Sequence, residues 1–184
     1  MNKVELRKSL LQTRKSIEAE EWQAKSLQLC EHLKSSPLFI KSQTVLAYFS
    51  VRQEPDLSSL FRLNKTWGFS RCVDQKLIWH CWTPVSLLLQ VGTFGIPEPH
   101  PDSPLIEPET VDLILVPAVA CDAQGYRLGY GGGFYDRLLS STVWSAKPTI
   151  GITFEFARLP QLPHDDWDQR LHAICTETGF FWAT

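Results

Sequence analysis

Val111-Asp112-Leu113-Ile114-Leu115-Val116-Pro117 is an apolar run that ends on a residue unable to continue a central ladder. A strand without polar alternation is buried on both faces, and such strands belong to parallel sheets covered by helices on either side. The run therefore sets an α/β expectation, with a loop beginning at Pro117. Thr44-Val45-Leu46-Ala47-Tyr48-Phe49, residues 149–154 and Ala173-Ile174-Cys175-Thr176 are runs of the same kind, the last read as the final strand. Residues 69–73 and 77–82 are further strand candidates. Towards the N-terminus two helical segments are expected. In the second, Trp22, Ser26, Leu29, Cys30 and Leu33 recur at helical spacing behind Glu18, Glu20 and Glu21, and Ser35-Ser36-Pro37 closes it. Asp56 is placed to cap a helix carrying Leu57, Leu60, Phe61 and Leu63, and residues 135–139 read as another helix. The five prolines between Phe94 and Pro108 mark an extended surface excursion that covers something. With strands and helices alternating and no repeat or linker, residues 1–184 are expected to form a single-domain layered sandwich. Its largely parallel central sheet is flanked by helices, N-terminal helices first.

Composition narrows the function. Hydrophobic residues make up 43% and charged residues 21% of the 184, the balance of a globular chain. A formal net charge of −2, from 18 basic and 20 acidic side chains, supplies no global field for a polyanion, so a nucleic-acid partner is not expected. A local cluster of cations around one small anion remains compatible with it. The five cysteines (Cys30, Cys72, Cys81, Cys121, Cys175) are odd in number and lack a CxxC pair, which points to a reducing compartment, the cytoplasm. His80 and Cys81 are adjacent on a strand and face opposite ways, a poor metal pair. Met1-Asn2-Lys3-Val4-Glu5 is polar where a secretory leader is apolar. The longest apolar stretch, residues 113–121, is broken by Pro117 and falls well short of the roughly 20 residues of a membrane span. No membrane association is expected.

The chemistry lies between the strand at Leu113 and the helix at Tyr135. Arg127-Leu128-Gly129-Tyr130-Gly131-Gly132-Gly133-Phe134-Tyr135-Asp136 places a glycine-rich turn just ahead of a helix start. Glycines let successive N–H groups face one anion, and the helix start adds partial positive charge. No Gly-Lys-Ser/Thr follows, so this is not a Walker A loop, and it is not a dinucleotide GxGxxG in first-strand position. A glycine turn serving only chain reversal is the plain alternative. Here, however, Arg127 offers a guanidinium to phosphate and Asp136 a carboxylate suited to magnesium.

The run from Gly125 to Asp136 resembles the hallmark of the 5-formyltetrahydrofolate cyclo-ligases, Gly-x-Arg-Leu-Gly-x-Gly-x-Gly-aromatic-Tyr-Asp. The likeness continues in Lys3-Val4-Glu5-Leu6-Arg7, in residues 49–56 with Glu54, in Phe94-Gly95-Ile96-Pro97-Glu98-Pro99, in residues 150–156 and 162–165, and in Thr176-Glu177-Thr178-Gly179. The resemblance implies an ATP-dependent enzyme that converts 5-formyltetrahydrofolate to 5,10-methenyltetrahydrofolate. It also implies the site: Lys3, Arg7, Arg127, Leu128, Gly129, Gly131, Gly132, Gly133 and Tyr135 around ATP, with Arg127 and Tyr135 in the catalytic role. Phe49, Glu54, Phe94, Tyr130 and Phe134 fall to the folate, and Asp136 to Mg²⁺. A carboxylate such as Glu54 can accept two hydrogen bonds from a pterin. A monomer acting on small-molecule substrates is expected.

Three departures from the family pattern stand out. Ala118 follows Pro117 where Gly is usual, and Cys121 replaces a common Phe. Tyr130 and Gly132 stand where some members carry Arg and Lys, which removes positive charge. An Asp that helps hold magnesium in some members falls on His172, a poorer ligand for a hard cation. Asp165, Asp166 or Asp168 can take its place, or Asp136 can suffice with ATP phosphates and water, the preferred option. Two rival functions are a phosphosugar isomerase-like enzyme using the same loop without ATP, and a non-catalytic folate- or nucleotide-binding regulator.

Overall fold

A computed structural model of the chain describes residues 1–85 and 88–184. Helix α1, Lys3–Lys15, opens on Asn2, whose side chain accepts the Val4 and Glu5 amides while the Glu5 carboxylate takes the Asn2 N–H. Helix α2, Ala19–Lys34, stops at Ser35. Ser36 then caps a short third helix, α3 (Pro37–Lys41), whose proline sits at the start, where a missing N–H is harmless. Pro37 thus closes one helix and opens another, where the sequence reading has only the stop.

The strands follow as β1 (Thr44–Ala47), β2 (Thr66–Val73), β3 (Lys76–Cys81), β4 (Leu89–Val91), β5 (Pro97–Pro99), β6 (Leu113–Pro117), β7 (Ala120–Asp122) and β8 (Arg127–Leu128). Helix α4, Phe134–Ser140, precedes β9 (Thr149–Ile152), β10 (Arg158–Leu159), β11 (Ala173–Thr176) and β12 (Gly179–Trp182). Seven strands form the central sheet in the order β12-β11-β9-β6-β1-β2-β3, its five inner strands mutually parallel and both edges antiparallel. The largely parallel α/β sheet expected from the buried runs is present. A three-stranded sheet, β10-β7-β8, and the β4–β5 hairpin complete it.

Three expectations change. Ala173–Thr176 is not the last strand, because β12 returns antiparallel beside it. Asp56 does cap, accepting the Ser58 N–H at 3.0 Å, but only a 3-10 turn at Ser58–Leu60 follows. Leu57, Leu60 and Phe61 all sink into the core, and the chain leaves helical geometry once they are buried. The proline-rich stretch is partly regular: β5 pairs with β4, and Leu105 bridges to His80.

Alternation along the inner strands sorts side chains between two layers. Val45, Leu113, Leu115, Ile150 and Ile152 face α2 and α3, burying Leu29, Leu33 and Phe39. Leu46, Ile114, Val116 and Ile174 face the other way onto Leu138 and Leu139 of α4. Helix α1 belongs to neither layer. Leu10, with Leu6 and Leu11, packs on Val119, Ala120 and Leu128 of the small sheet, and this seats the N-terminal basic residues beside the glycine loop.

Strand order fixes where a ligand can bind. From β1 the chain moves outward through β2 and β3, whereas from β6 it moves the opposite way through β9 and β11. The reversal falls between paired neighbours β1 and β6, and in open α/β sheets ligands bind beyond the carboxyl ends of strands at such a point. The Glu54 segment leaves the carboxyl end of β1, and the chain to the glycine loop leaves that of β6. No helix among the described residues is long and apolar enough to cross a membrane.

Leu115 is fully enclosed in the central strand. Leu115→Ala is expected to cost about 3 kcal/mol, read as a lower urea midpoint with an unchanged m-value.

Candidate functional site

The glycine loop is held by its root. Leu128 is buried against α1, and its carbonyl accepts the Val119 N–H at 2.8 Å. Its side chain therefore anchors the loop and is not presented to a ligand. Arg7 Nε donates to the Gly129 carbonyl at 2.6 Å, and the Arg7 guanidinium carbon lies 3.8 Å from where a Cβ on Gly131 would sit. Gly131 at φ +100° and Gly133 at φ +66° are in the left-handed region, which a side chain would strain. Both are needed to bend the loop onto Arg7. Helix α4 is only seven residues long, so an anion here depends on loop amides and side-chain cations more than on a macrodipole.

Arg127 and Asp136 meet across the loop, Nη2 to Oδ2 at 3.3 Å. The Arg127 side chain is only 7% exposed, donates to the Pro117 carbonyl at 3.4 Å, and lies over the Tyr135 ring at 5.2 Å. Burial pushes the Tyr135 hydroxyl far above its usual range despite that cation. Tyr135 is thus a fixed proton donor at neutral pH and not a base. Lys3 is placed near the same end but is engaged, with Nζ 2.6 Å from Asp165 and 2.5 Å from Asp168. Burial opposes its charge, and the two carboxylates outweigh burial, leaving its pKa raised.

Glu54 stands on the opposite wall. It is 3% exposed; its Oε2 accepts the Val51 N–H at 3.1 Å, and its backbone carbonyl takes Trp22 Nε1 at 2.9 Å and the Ser50 hydroxyl at 2.7 Å. Burial raises its pKa, while the Val51 amide, Arg14, the Tyr130 hydroxyl and Arg52 pull the other way. Tyr130 is the bridge: it rises from the glycine loop and hydrogen-bonds Glu54, while Arg14 Nη2 donates to its oxygen. Burial holds its hydroxyl protonated, with a pKa pushed up to about 12.

The aromatic residues fall into two groups. Phe49 stacks on Phe69 at 4.2 Å and lines a cleft of about 650 Å³ with Trp22, Ser50, Gln53, Phe61 and Pro97, a size suited to a small ligand. Phe94, 58% exposed at the hairpin tip, meets Phe134 edge-on at 5.8 Å, so the excursion covers the start of α4. The hairpin is pinned to β2 by Glu98, which accepts the Cys72 N–H at 2.8 Å. Pro97 joins the two groups by lining the cleft with Phe49.

For a metal, the described residues contain no group of three or more His, Cys, Asp or Glu side chains. Mg²⁺ is commonly held by one or two carboxylates with substrate phosphates and water, so Asp136 beside the loop fits that mode. His172 does not contribute: its Nδ1 accepts the Thr149 N–H at 3.2 Å at the start of β9. Asp165 and Asp168 are taken by Lys3, while the Gln169 amide donates to Asp136 at 3.4 Å.

Sequence reasoning missed Arg14, Trp22 and Arg52. Arg14 had a signal: it follows Arg7 by two helical turns and therefore shares its face. Trp22 reads as an ordinary core position of α2, and only folding turns its indole N–H towards Glu54.

Two adjoining subsites, one built for phosphate and one around a buried carboxylate with an aromatic cleft, at the switch point of a parallel sheet, define a nucleotide-type α/β enzyme site. The profile of the 5-formyltetrahydrofolate cyclo-ligase family matches residues 1–177. The chain belongs to that family. It is similar to the 5-formyltetrahydrofolate cyclo-ligase of Mycolicibacterium smegmatis, 31% identical over 188 residues, covering 95% of this chain and 93% of the relative. That of Escherichia coli is 27% identical over 175 residues, covering 90% and 94%. The solved 5,10-methenyltetrahydrofolate synthetase of Aquifex aeolicus matches with a TM-score of 0.87 at 35% identity, covering all 100% of this chain and 93% of that one.

Glu54 yields a pH prediction. Its folded pKa lies above the unfolded value, so its contribution to stability is fully present below about 4.5 and is lost as pH rises through the raised folded pKa. Glu54→Gln lacks this loss. Its stability relative to the parent protein should therefore grow from acid to neutral pH, measured by urea unfolding at a series of pH values.

Proposed function

We propose that this protein uses MgATP to cyclise 5-formyltetrahydrofolate to 5,10-methenyltetrahydrofolate, releasing ADP and phosphate. The observation that carries the reading is the Tyr130–Glu54 contact, which puts a phosphate loop and a pterin-type carboxylate in one site. Family membership and relatives of that activity support it, and they favour neither a phosphosugar isomerase nor a non-catalytic regulator.

The formyl oxygen is a poor leaving group. Attack by that oxygen on the γ-phosphorus expels ADP, N10 then bonds to the formyl carbon, and the C–O bond breaks to release phosphate. The Gly129 to Gly133 backbone, Arg7 and Arg127 stabilise oxygens that gain negative charge during transfer. Tyr135 donates from beneath the loop, and Lys3 reaches the nucleotide by exchanging one of its aspartates for a phosphate. Asp136 holds Mg²⁺ with ATP phosphates and water, and the metal, when bound, neutralises phosphate charge. Glu54 accepts hydrogen bonds from the pterin. Two of its acceptor positions are used by Val51 and Tyr130, which leaves capacity for two more. Phe49 lines the folate cleft, and Phe94 with Phe134 closes it. Proximity and electrostatics carry the reaction without a covalent protein nucleophile. Residues 1–184 act as one domain, in a cytoplasmic monomer.

Purified protein incubated with 5-formyltetrahydrofolate and MgATP is expected to develop the absorbance of the methenyl product, strictly dependent on ATP. Folate binding without product would leave only the regulator, and sugar-phosphate turnover without ATP only the isomerase. Arg127→Ala should lower kcat/KM for ATP by about 10²-fold while folate affinity changes far less. Equal losses in both would remove Arg127 from the nucleotide subsite. Asp136→Asn should raise the magnesium concentration needed for half-maximal rate, and an unshifted titration would remove Asp136 from the metal site.

A further inference from the structure

Arg14 is only 3% exposed, and a guanidinium that deep is ordinarily matched with a carboxylate. Among the described residues no ion pair includes it. Its Nε donates instead to the Arg52 carbonyl at 3.0 Å, and its Nη2 to the Tyr130 hydroxyl. Tyr130, protonated, passes its own hydrogen on to Glu54. The cation therefore reaches its nearest anion through a phenol belonging to the glycine loop.

The backbone at the other contact is strained. Arg52 at φ +49° and Gln53 at φ +56° are consecutive non-glycine residues in the left-handed region, a conformation that persists only when neighbours over-determine it. Arg14 supplies one restraint through the Arg52 carbonyl. Gln53 Nε2 to the Ile17 carbonyl at 3.1 Å and Trp22 Nε1 to the Glu54 carbonyl supply two more. The Arg52 guanidinium turns back over the Tyr130 ring at 5.2 Å, so the strained turn and the glycine loop touch at a second point. Tyr130 itself is 37% exposed and has no such set of restraints, so its place against Glu54 depends on Arg14.

We propose that Arg14 is a positioning residue that couples the two substrate subsites, holding the Tyr130 hydroxyl against the Glu54 carboxylate so that each ligand favours the loop geometry the other needs. The proposal rests on the functional reading above and deepens it. A phosphate on the loop fixes Tyr130, which in turn orients Glu54 for the pterin; a pterin on Glu54 fixes Tyr130 and thereby the loop. Linkage requires the two effects to be equal.

The test is calorimetric titration of the full chain with 5-formyltetrahydrofolate, alone and with a saturating non-hydrolysable ATP analogue plus Mg²⁺, and the reverse titration. The parent protein is expected to bind each ligand about fivefold or more tightly in the presence of the other. In Arg14→Met and Tyr130→Phe that factor should fall to near one, with no further fall in the double variant, because both changes cut the same chain. Arg14→Lys, which keeps the charge but cannot make both bonds, should retain part of the factor. A coupling factor unchanged in Tyr130→Phe, or absent in the parent protein, overturns the proposal. Tyr130→Phe alone decides if Arg14→Met does not fold. A parent protein that binds neither ligand overturns the functional reading itself, a result distinct from two ligands that bind without influencing each other.

Discussion

Parallel pairing of β1 with β6 is the constraint on which the rest depends. Val45 against Leu113 and Leu46 against Ile114 fix the two strands side by side and pointing the same way. Parallel neighbours end at the same edge of a sheet, so the segments leaving them must emerge together. Because the chain then runs outward in opposite directions from these strands, no further strand fills the gap between their exits. Glu54 and the glycine loop face one another for that reason, although more than seventy positions separate them in the chain.

The small sheet and α1 turn that opening into a site. Without β7 and β8, α1 has no apolar surface to rest on; with them, Leu10 packs on Leu128 and the helix presents Lys3, Arg7 and Arg14 in a row along the loop. The same contact buries the root of the loop and leaves its glycines outside. Polar groups in this region are satisfied by one another: Arg127 by Asp136, Lys3 by two aspartates, and Glu54 by an amide and a phenol. Buried charge of this kind contributes little to folding stability and is costly when one partner is removed. Its presence at the switch point, while the two main cores remain almost wholly apolar, is the mark of a site.

Several elements were legible in the sequence because their cause is local. The buried runs at residues 44–49, 111–116 and 149–154 announce themselves by composition, and glycine spacing announces the loop. The helix after Asp56 failed because Leu57, Leu60 and Phe61 fit a helical period yet are drawn into the core by tertiary packing within one turn. The strand Gly179–Trp182 was missed because it is an edge strand, half exposed, and lacks the uninterrupted apolar signature of a central one. His172 shows the limit of reading by spacing: its ring belongs to Thr149, and the neighbour that reaches Asp136 is the Gln169 amide.

By itself, then, the sequence determined the layers, the parallel sheet, and the residue types able to grip a phosphate and a pterin. Periodicity, turn chemistry and side-chain chemistry are properties of short windows, and each window carries its own information. Only the tertiary structure decided which of those residues meet. The Arg14–Tyr130–Glu54 chain joins a helix, a glycine loop and a strand exit, and no window contains all three. Its geometry exists only once strand order has brought two distant loops to one edge and the packing of α1 has fixed the distance between them.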